Sequence, residues 1–311
     1  MWIYIAIGAA AFIIFAVLLT SYICFLRVFR SPKNKDSEGF ELPLGEVYVP
    51  YRRVMEDWYN RLLLLDCEDF AVKSFDGLTL RGRYYECIKG APVELMFHGY
   101  QGNSVRDLSG GVFRAFALGR NALIIDHRGS GRSDGKVITF GINESRDCLA
   151  WIDFALSHFG SDVKLILTGI SMGAATVAVV SGEALPENVR YILCDCPYSS
   201  AGEIIKKVID DMRLPSRLLY PFVRLGARIY GRFSLECTSP IEAVKVSRTP
   251  IIFFHGDTDD FVPSYMSEKL YEACASEKKL VIVPGAGHGL AYPADCESYL
   301  AALREFDKLY L

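Results

Sequence analysis

The sequence has little net charge. Its 34 Lys and Arg against 37 Asp and Glu leave −3 in 311 residues, so no overall field favours nucleic acid. It also lacks a cysteine framework. The nine cysteines are odd in number and show neither disulfide nor zinc spacing; Cys194 and Cys196 are too close together for a metal finger. They read as reduced thiols, which favours a reducing compartment. None sits on a turn that would present a nucleophile, which argues against cysteine catalysis. Internal repeats and low-complexity segments are absent too. Near the start, what is missing is charge: Trp2 to Leu26 carries no charged side chain.

That apolar run, rich in Ile, Ala, Phe, Val and Leu, would span about 37 Å as a helix, more than the roughly 30 Å of a hydrocarbon core. A cleaved signal peptide would need a basic start, a shorter apolar region and a small-residue cleavage site. No Lys or Arg precedes the run, and Ser21-Tyr22-Ile23-Cys24 makes a poor lipoprotein-type site. Residues 1–30 are therefore expected to be a single-pass anchor in the cell membrane. Arg27, Arg30, Lys33 and Lys35 follow it, which places the rest of the chain on the cytoplasmic side. Residues 31–45, with Pro32, Gly39, Pro43 and Gly45 among polar residues, read as a flexible tether. Val54, Trp58, Leu62 and Leu65 recur at helical spacing, so a helix leads into a folded domain over residues 46–311.

Within that domain, Gly169-Ile170-Ser171-Met172-Gly173 has the form G-x-S-x-G. It follows the apolar Leu165-Ile166-Leu167 and precedes a run of small residues from Ala174 to Val180. This strand–turn–helix setting is that of a nucleophile elbow, where flanking side chains would collide with the neighbouring elements. Upstream, the strand Val93–Phe97 runs into His98-Gly99-Tyr100-Gln101-Gly102. The backbone N–H groups of Tyr100 and Met172 are the expected oxyanion donors. The loop Asp126-His127-Arg128-Gly129-Ser130-Gly131-Arg132-Ser133-Asp134-Gly135 has the glycines and paired charges of a structural turn. His127 falls too early to be the base.

Downstream, a strand over 250–254 ends in His255-Gly256-Asp257-Thr258-Asp259-Asp260-Phe261-Val262-Pro263. Asp259 lies far enough past the strand to turn back towards the site; Asp257 and Asp260 suit a solvated loop. Asp195, just after the strand at 191–194, is an alternative acid. His288, flanked by Gly287 and Gly289 after the last strand, has no apolar setting to pack into. The order Ser171, Asp259, His288 fits one serine-triad arrangement among several. Proton bookkeeping makes His288 the base and Asp259 its orienting carboxylate.

The pieces HGYQGN, DHRGSGRSDG, GISMGAAT, HGDTDDFVP and PGAGHG resemble the α/β-hydrolase superfamily, near its bacterial prolyl-oligopeptidase-like and serine-aminopeptidase-like members. The resemblance spans 93–290 and leaves the first 65 residues outside. It implies an α/β fold: an eight-stranded, mostly parallel sheet flanked by helices, with a helical cap inserted after strand 6. It implies no metal and no organic cofactor.

The strands at 70–75 and 78–85 flank the hairpin signal Asp76-Gly77. Helical patterns fall near 104–118, 143–158, 172–184, 263–275 and 293–309. The cap at 202–236 holds seven basic against two acidic side chains within 204–235, a net +5 in a net-negative chain. Phe222, Leu225 and Ile229 share one helical face there, and Arg224 and Arg228 another. A basic, apolar cap suits a solvated face or one laid on anionic headgroups. The expected activity is a membrane-anchored serine hydrolase acting on a small-molecule ester or thioester, with a lipid-like acyl substrate favoured. Cleavage of short peptides, acyl transfer, and a catalytically inert membrane-bound binding module are the alternatives.

Overall fold

A computed structural model describes residues 1–32, 39–43 and 45–311. Lys33 and Lys35, read above as flanking charges, lie outside the described residues, as do residues 33–38 and 44 of the expected tether.

Eight strands form one sheet: β1 (Glu68–Lys73), β2 (Thr79–Tyr85), β3 (Val93–Phe97), β4 (Asn121–Asp126), β5 (Leu165–Ile170), β6 (Val189–Asp195), β7 (Ile251–Gly256) and β8 (Lys278–Val283). The order across the sheet is β1-β2-β4-β3-β5-β6-β7-β8. β2 runs antiparallel to both neighbours, and every other pairing is parallel. All residues of β3, β4 and β7 are buried, as expected where helices cover both faces of a parallel sheet. Glu94 interrupts the apolar run of β3, and Arg114, Arg120 and Thr168 satisfy it.

The helices are α1 (Trp2–Val28), α2 (Arg52–Leu62), α3 (Ser104–Ala117), α4 (Ile142–Phe159), α5 (Met172–Val180), α6 (Ala201–Asp211), α7 (Ser216–Gly226), α8 (Pro240–Val244), α9 (Tyr265–Ala273), α10 (Ala291–Ala294) and α11 (Cys296–Tyr310). Between β6 and β7 lie α6, α7, a π-turn over Ala227–Gly231 and α8. This is the cap. Its buried face carries Tyr220, Val223, Gly226 and Ala227, while Phe222 and Leu225 stay half-exposed and Ile229 exposed.

α1 is long and apolar enough to cross a membrane. Every residue from Trp2 to Phe15 is exposed, whereas Ser21, Phe25 and Phe29 are buried on one face. That face packs on α7, where a side chain at Gly226 would run into the Ser21 carbonyl. Phe29 is fully buried, with ring centroids 5.2 Å from Phe233 and 5.9 Å from Phe140. Beyond α1, Ile138 donates to the Phe29 carbonyl at 2.8 Å and Ser31 to that of Lys136 at 3.0 Å. Contacts therefore cross the boundary drawn at residue 30. The apolar run has one composition throughout, so sequence gives no sign of which half meets protein.

Candidate active site

β5 ends at Ile170, and the chain turns at Ser171 into α5. Ser171 adopts φ 56° and ψ −116°, a region that non-glycine residues pay to occupy. The two motif glycines make the turn possible. A side chain at Gly169 would strike the Gly173 backbone, and one at Gly173 would strike the Phe97 carbonyl at the end of β3. Ser171 N–H donates to the Asp195 carbonyl at 2.8 Å, which ties the turn to β6.

His288 meets Ser171 from the loop after β8. Its Nε2 lies 2.9 Å from Ser171 Oγ, and its Nδ1 lies 2.7 Å from Asp259 Oδ2. Asp259 is 4% exposed and accepts on Oδ1 from the N–H groups of Phe261 (3.0 Å) and Val262 (2.8 Å). Burial alone would raise its pKa. The hydrogen bonds from His255 and His288, and the nearby His288 charge, outweigh it and hold the carboxyl well below the usual range. An ionised Asp259 accepts a hydrogen bond from His288 Nδ1–H and so fixes the proton there, which leaves Nε2 as an acceptor facing the serine hydroxyl.

His255 escaped the sequence reading, although it opens the quoted HGDTDD motif. It is fully buried, and its Nε2 faces only acceptors, the Val262 carbonyl at 2.7 Å and Asp259 Oδ2 at 3.2 Å. Nε2 therefore carries the proton, and Nδ1 accepts from Ser267 Oγ at 2.6 Å. A histidine with this many fixed partners braces the acid loop.

Asp195 does not approach His288 as a hydrogen-bond partner. It accepts from Tyr299 Oη at 2.9 Å, and burial raises its pKa. Asp257 and Asp260 are exposed. Cys196 brings its thiol within 4.8 Å of donor atoms of Asp259 and His288. Burial pushes that thiol well above its ordinary range, which disfavours the thiolate a metal would take.

The loop after β4 has the internal bonding its composition suggests. Asp126 accepts from the N–H of Ser104 and of Arg132, and Arg128 pairs with Asp147 at 2.7 Å and Asp76 at 3.0 Å. His127 is buried against His98: its N–H donates to His98 Nε2 at 3.1 Å, and its own Nε2 lies 3.1 Å from the His98 carbonyl.

Next to Ser171 runs the turn Gly99–Gly102. A Cβ at Gly99 would sit 3.5 Å from Ser171 Cβ, so the Tyr100 backbone borders Ser171. Met172 is the first residue of α5, where N–H groups have no partner within the helix. A cleft of about 550 Å³ opens over Ser171 and His288. Its walls include Tyr100, Ile170 and Phe261, and also Pro43, Val47, Tyr48 and Met55. The segment between α1 and β1 thus covers one side of the site.

The family described as alpha/beta hydrolase fold matches residues 93–228, and that described as serine hydrolase (FSH1) matches 218–290. The uncharacterized Bacillus subtilis protein YqkD is 27% identical over 240 residues, covering 76% of this chain and 78% of its own. The uncharacterized membrane protein YNL320W of Saccharomyces cerevisiae is 27% identical, with 61% of each chain covered. Among solved structures, the Pyrococcus furiosus esterase Pf2001 superposes with a TM-score of 0.65 at 18% identity, covering 89% of this chain and 99% of its own.

Proposed function

We propose that this chain, an enzyme of the α/β-hydrolase superfamily, cleaves a carboxylic ester or thioester through an acyl-Ser171 intermediate while anchored in a membrane by α1. The observation that carries the chemistry is the hydrogen-bonded line from Ser171 Oγ through His288 to Asp259, at 2.9 and 2.7 Å, at the mouth of a cleft.

In this reading His288 Nε2 takes the hydroxyl proton as Ser171 Oγ attacks the acyl carbon. The N–H groups of Tyr100 and Met172 receive the developing oxyanion. Collapse breaks the bond to the leaving oxygen or sulfur, which departs with the proton from His288. Water then attacks the acyl-enzyme by the same route and releases the acid and free Ser171. Asp259 holds the imidazole tautomer and stabilises its cation throughout.

The apolar lining from Val47, Met55, Ile170 and Phe261 supports an acyl chain as the bound group. Membrane anchoring draws support from the exposed apolar run of α1, from the basic cap, and from the yeast relative named as a membrane protein. Arg27 and Arg30 at the end of the run favour a cytoplasmic catalytic domain.

The test is labelling of the full-length protein, in detergent, with a fluorophosphonate. Wild type should label, and Ser171→Ala and His288→Ala should not. A folded wild type that stays unlabelled and turns over no p-nitrophenyl ester of any chain length would overturn the proposal. Turnover rising with acyl length from acetate to octanoate would support the lipid-like substrate.

A further inference from the structure

α1 does more than an anchor requires. We infer that its last turn belongs to the oxyanion site, because the Tyr100 hydroxyl hangs the donor loop on the end of the membrane helix. The inference rests on the reading of the Tyr100 N–H given above.

Tyr100 Oη donates to the Val28 carbonyl at 2.8 Å. Val28 is the final residue of α1, so its carbonyl is one of those a helix end leaves without an intrahelical partner. The same Oη accepts from Gln101 Nε2 at 3.0 Å. Gln101 has φ 54°, and a non-glycine residue stays in that region only where its surroundings hold it. The loop therefore needs an outside brace, and α1 offers one. The Tyr100 ring lies 5.1 Å from Phe140, which lies 5.9 Å from Phe29. Phe29 is locked in turn by Phe233, by the Ile138 N–H and by the bridge from Arg30 to Val137. The Tyr100 hydroxyl is protonated and can donate at neutral pH at its ordinary pKa, and burial pushes it further up, to about 12.

Tyr100 is thus a positioning residue through its side chain and an oxyanion donor through its backbone. A tether-and-anchor arrangement would need none of these contacts. Their effect is to make catalytic competence depend on how α1 is seated.

The experiment compares full-length wild type, Tyr100→Phe, Phe29→Leu and the double variant in detergent micelles, with p-nitrophenyl butyrate as substrate. Active sites are titrated, and kcat, KM, the rate of fluorophosphonate inactivation and Tm are measured. Outright removal of an oxyanion donor costs about 100- to 1000-fold in kcat; displacing one should cost Tyr100→Phe about tenfold. The inactivation rate should fall in parallel, with KM unchanged. Phe29→Leu touches neither Ser171 nor the cleft and should lower kcat by less. It should add nothing in the Tyr100→Phe background, since both act through one brace. A lowered Tm with wild-type kcat per titrated site in Tyr100→Phe would overturn the inference, and so would additive losses in the double variant. If Phe29→Leu fails to fold, Tyr100→Phe decides alone. Ser171→Ala separates the two proposals. Turnover surviving there sinks the serine reading itself, whereas its loss beside an unimpaired Tyr100→Phe sinks only the coupling to α1.

Discussion

His255 Nε2 lies 3.2 Å from the same Asp259 oxygen that receives His288 Nδ1 at 2.7 Å. Two imidazoles on one carboxylate keep Asp259 ionised inside a buried loop, against the cost of removing its charge from water. His255→Ala should remove one donor and leave the Phe261 and Val262 N–H groups in place. We expect kcat to fall about 10- to 100-fold and stability at pH 7 to fall by about 2 kcal/mol, the scale of a hydrogen bond to a charged group. The pH dependence has a definite sign. A depressed folded pKa contributes stability that is present above the unfolded value of about 3.9 and lost as pH falls through the folded one. His255→Ala raises the folded pKa, so acid unfolding should begin at higher pH than in wild type. Thermal melts from pH 7 down to pH 2 would detect this, and superimposable acid limbs would refute it.

The two acids at the sheet's carboxyl edge should behave oppositely on substitution. Asp259→Asn leaves His288 without its orienting carboxylate and should lower kcat by about 1000- to 10,000-fold, the scale seen for a mispaired tautomer. Asp195→Asn should cost less than about tenfold. Asp195 is buried and its pKa is raised, so its contribution to stability is present below the unfolded value and lost as pH rises through the folded one. The Asn variant should therefore gain Tm over wild type at pH 7, and that gain should vanish below about pH 4. A reversed activity ranking would move the acid to Asp195.

Much of this arrangement was readable because strand ends and glycines announce themselves locally. Ser171, Asp259 and His288 each follow an apolar run and sit among turn residues, and the parallel sheet brings such strand ends to one edge. The brace residues gave no such signal. His255 was hidden because a histidine at the end of a buried strand looks like any core residue until its neighbours are known. The seating of α1 was hidden for another reason. Ser21, Phe25 and Phe29 recur every four residues in a run apolar on all sides, so no amphipathic contrast marks the face that meets α7. Glu94 within β3 is legible only with its partners, Arg114 and Arg120, which come from outside the strand.

Ser171 should be costly to the fold that holds it. Its φ of 56° is a region where a non-glycine residue carries about 1–3 kcal/mol of strain. Ser171→Gly should therefore be inactive and more stable than wild type by about 1 kcal/mol, net of the entropy that glycine adds to the unfolded chain. Ser171→Ala should be equally inactive with no such gain, since alanine keeps the Cβ. Denaturant melts of the three proteins separate these outcomes. A Gly variant less stable than the Ala variant would mean the turn is unstrained, because only the entropy of glycine would then separate them.

Gly226 tests the seat of α1 without touching the site. A side chain there would meet the Ser21 carbonyl and then Phe25, at a crossing where small residues let two helix backbones approach. Gly226→Leu forces α1 and α7 apart and should cost about 1–3 kcal/mol as overpacking. Gly8, with no atom within 4 Å of a Cβ placed on it, is the matched control: Gly8→Leu should leave stability unchanged and keep the protein in the membrane fraction. Both proteins should still insert, because the exposed run from Trp2 to Phe15 is apolar in each. Limited proteolysis of the membrane-bound forms should then cut Gly226→Leu faster near residues 29–32, where Phe29 and Ser31 are bonded to the 136–138 segment. Equal cleavage rates in the two variants would show that α1 does not depend on this crossing for its seat.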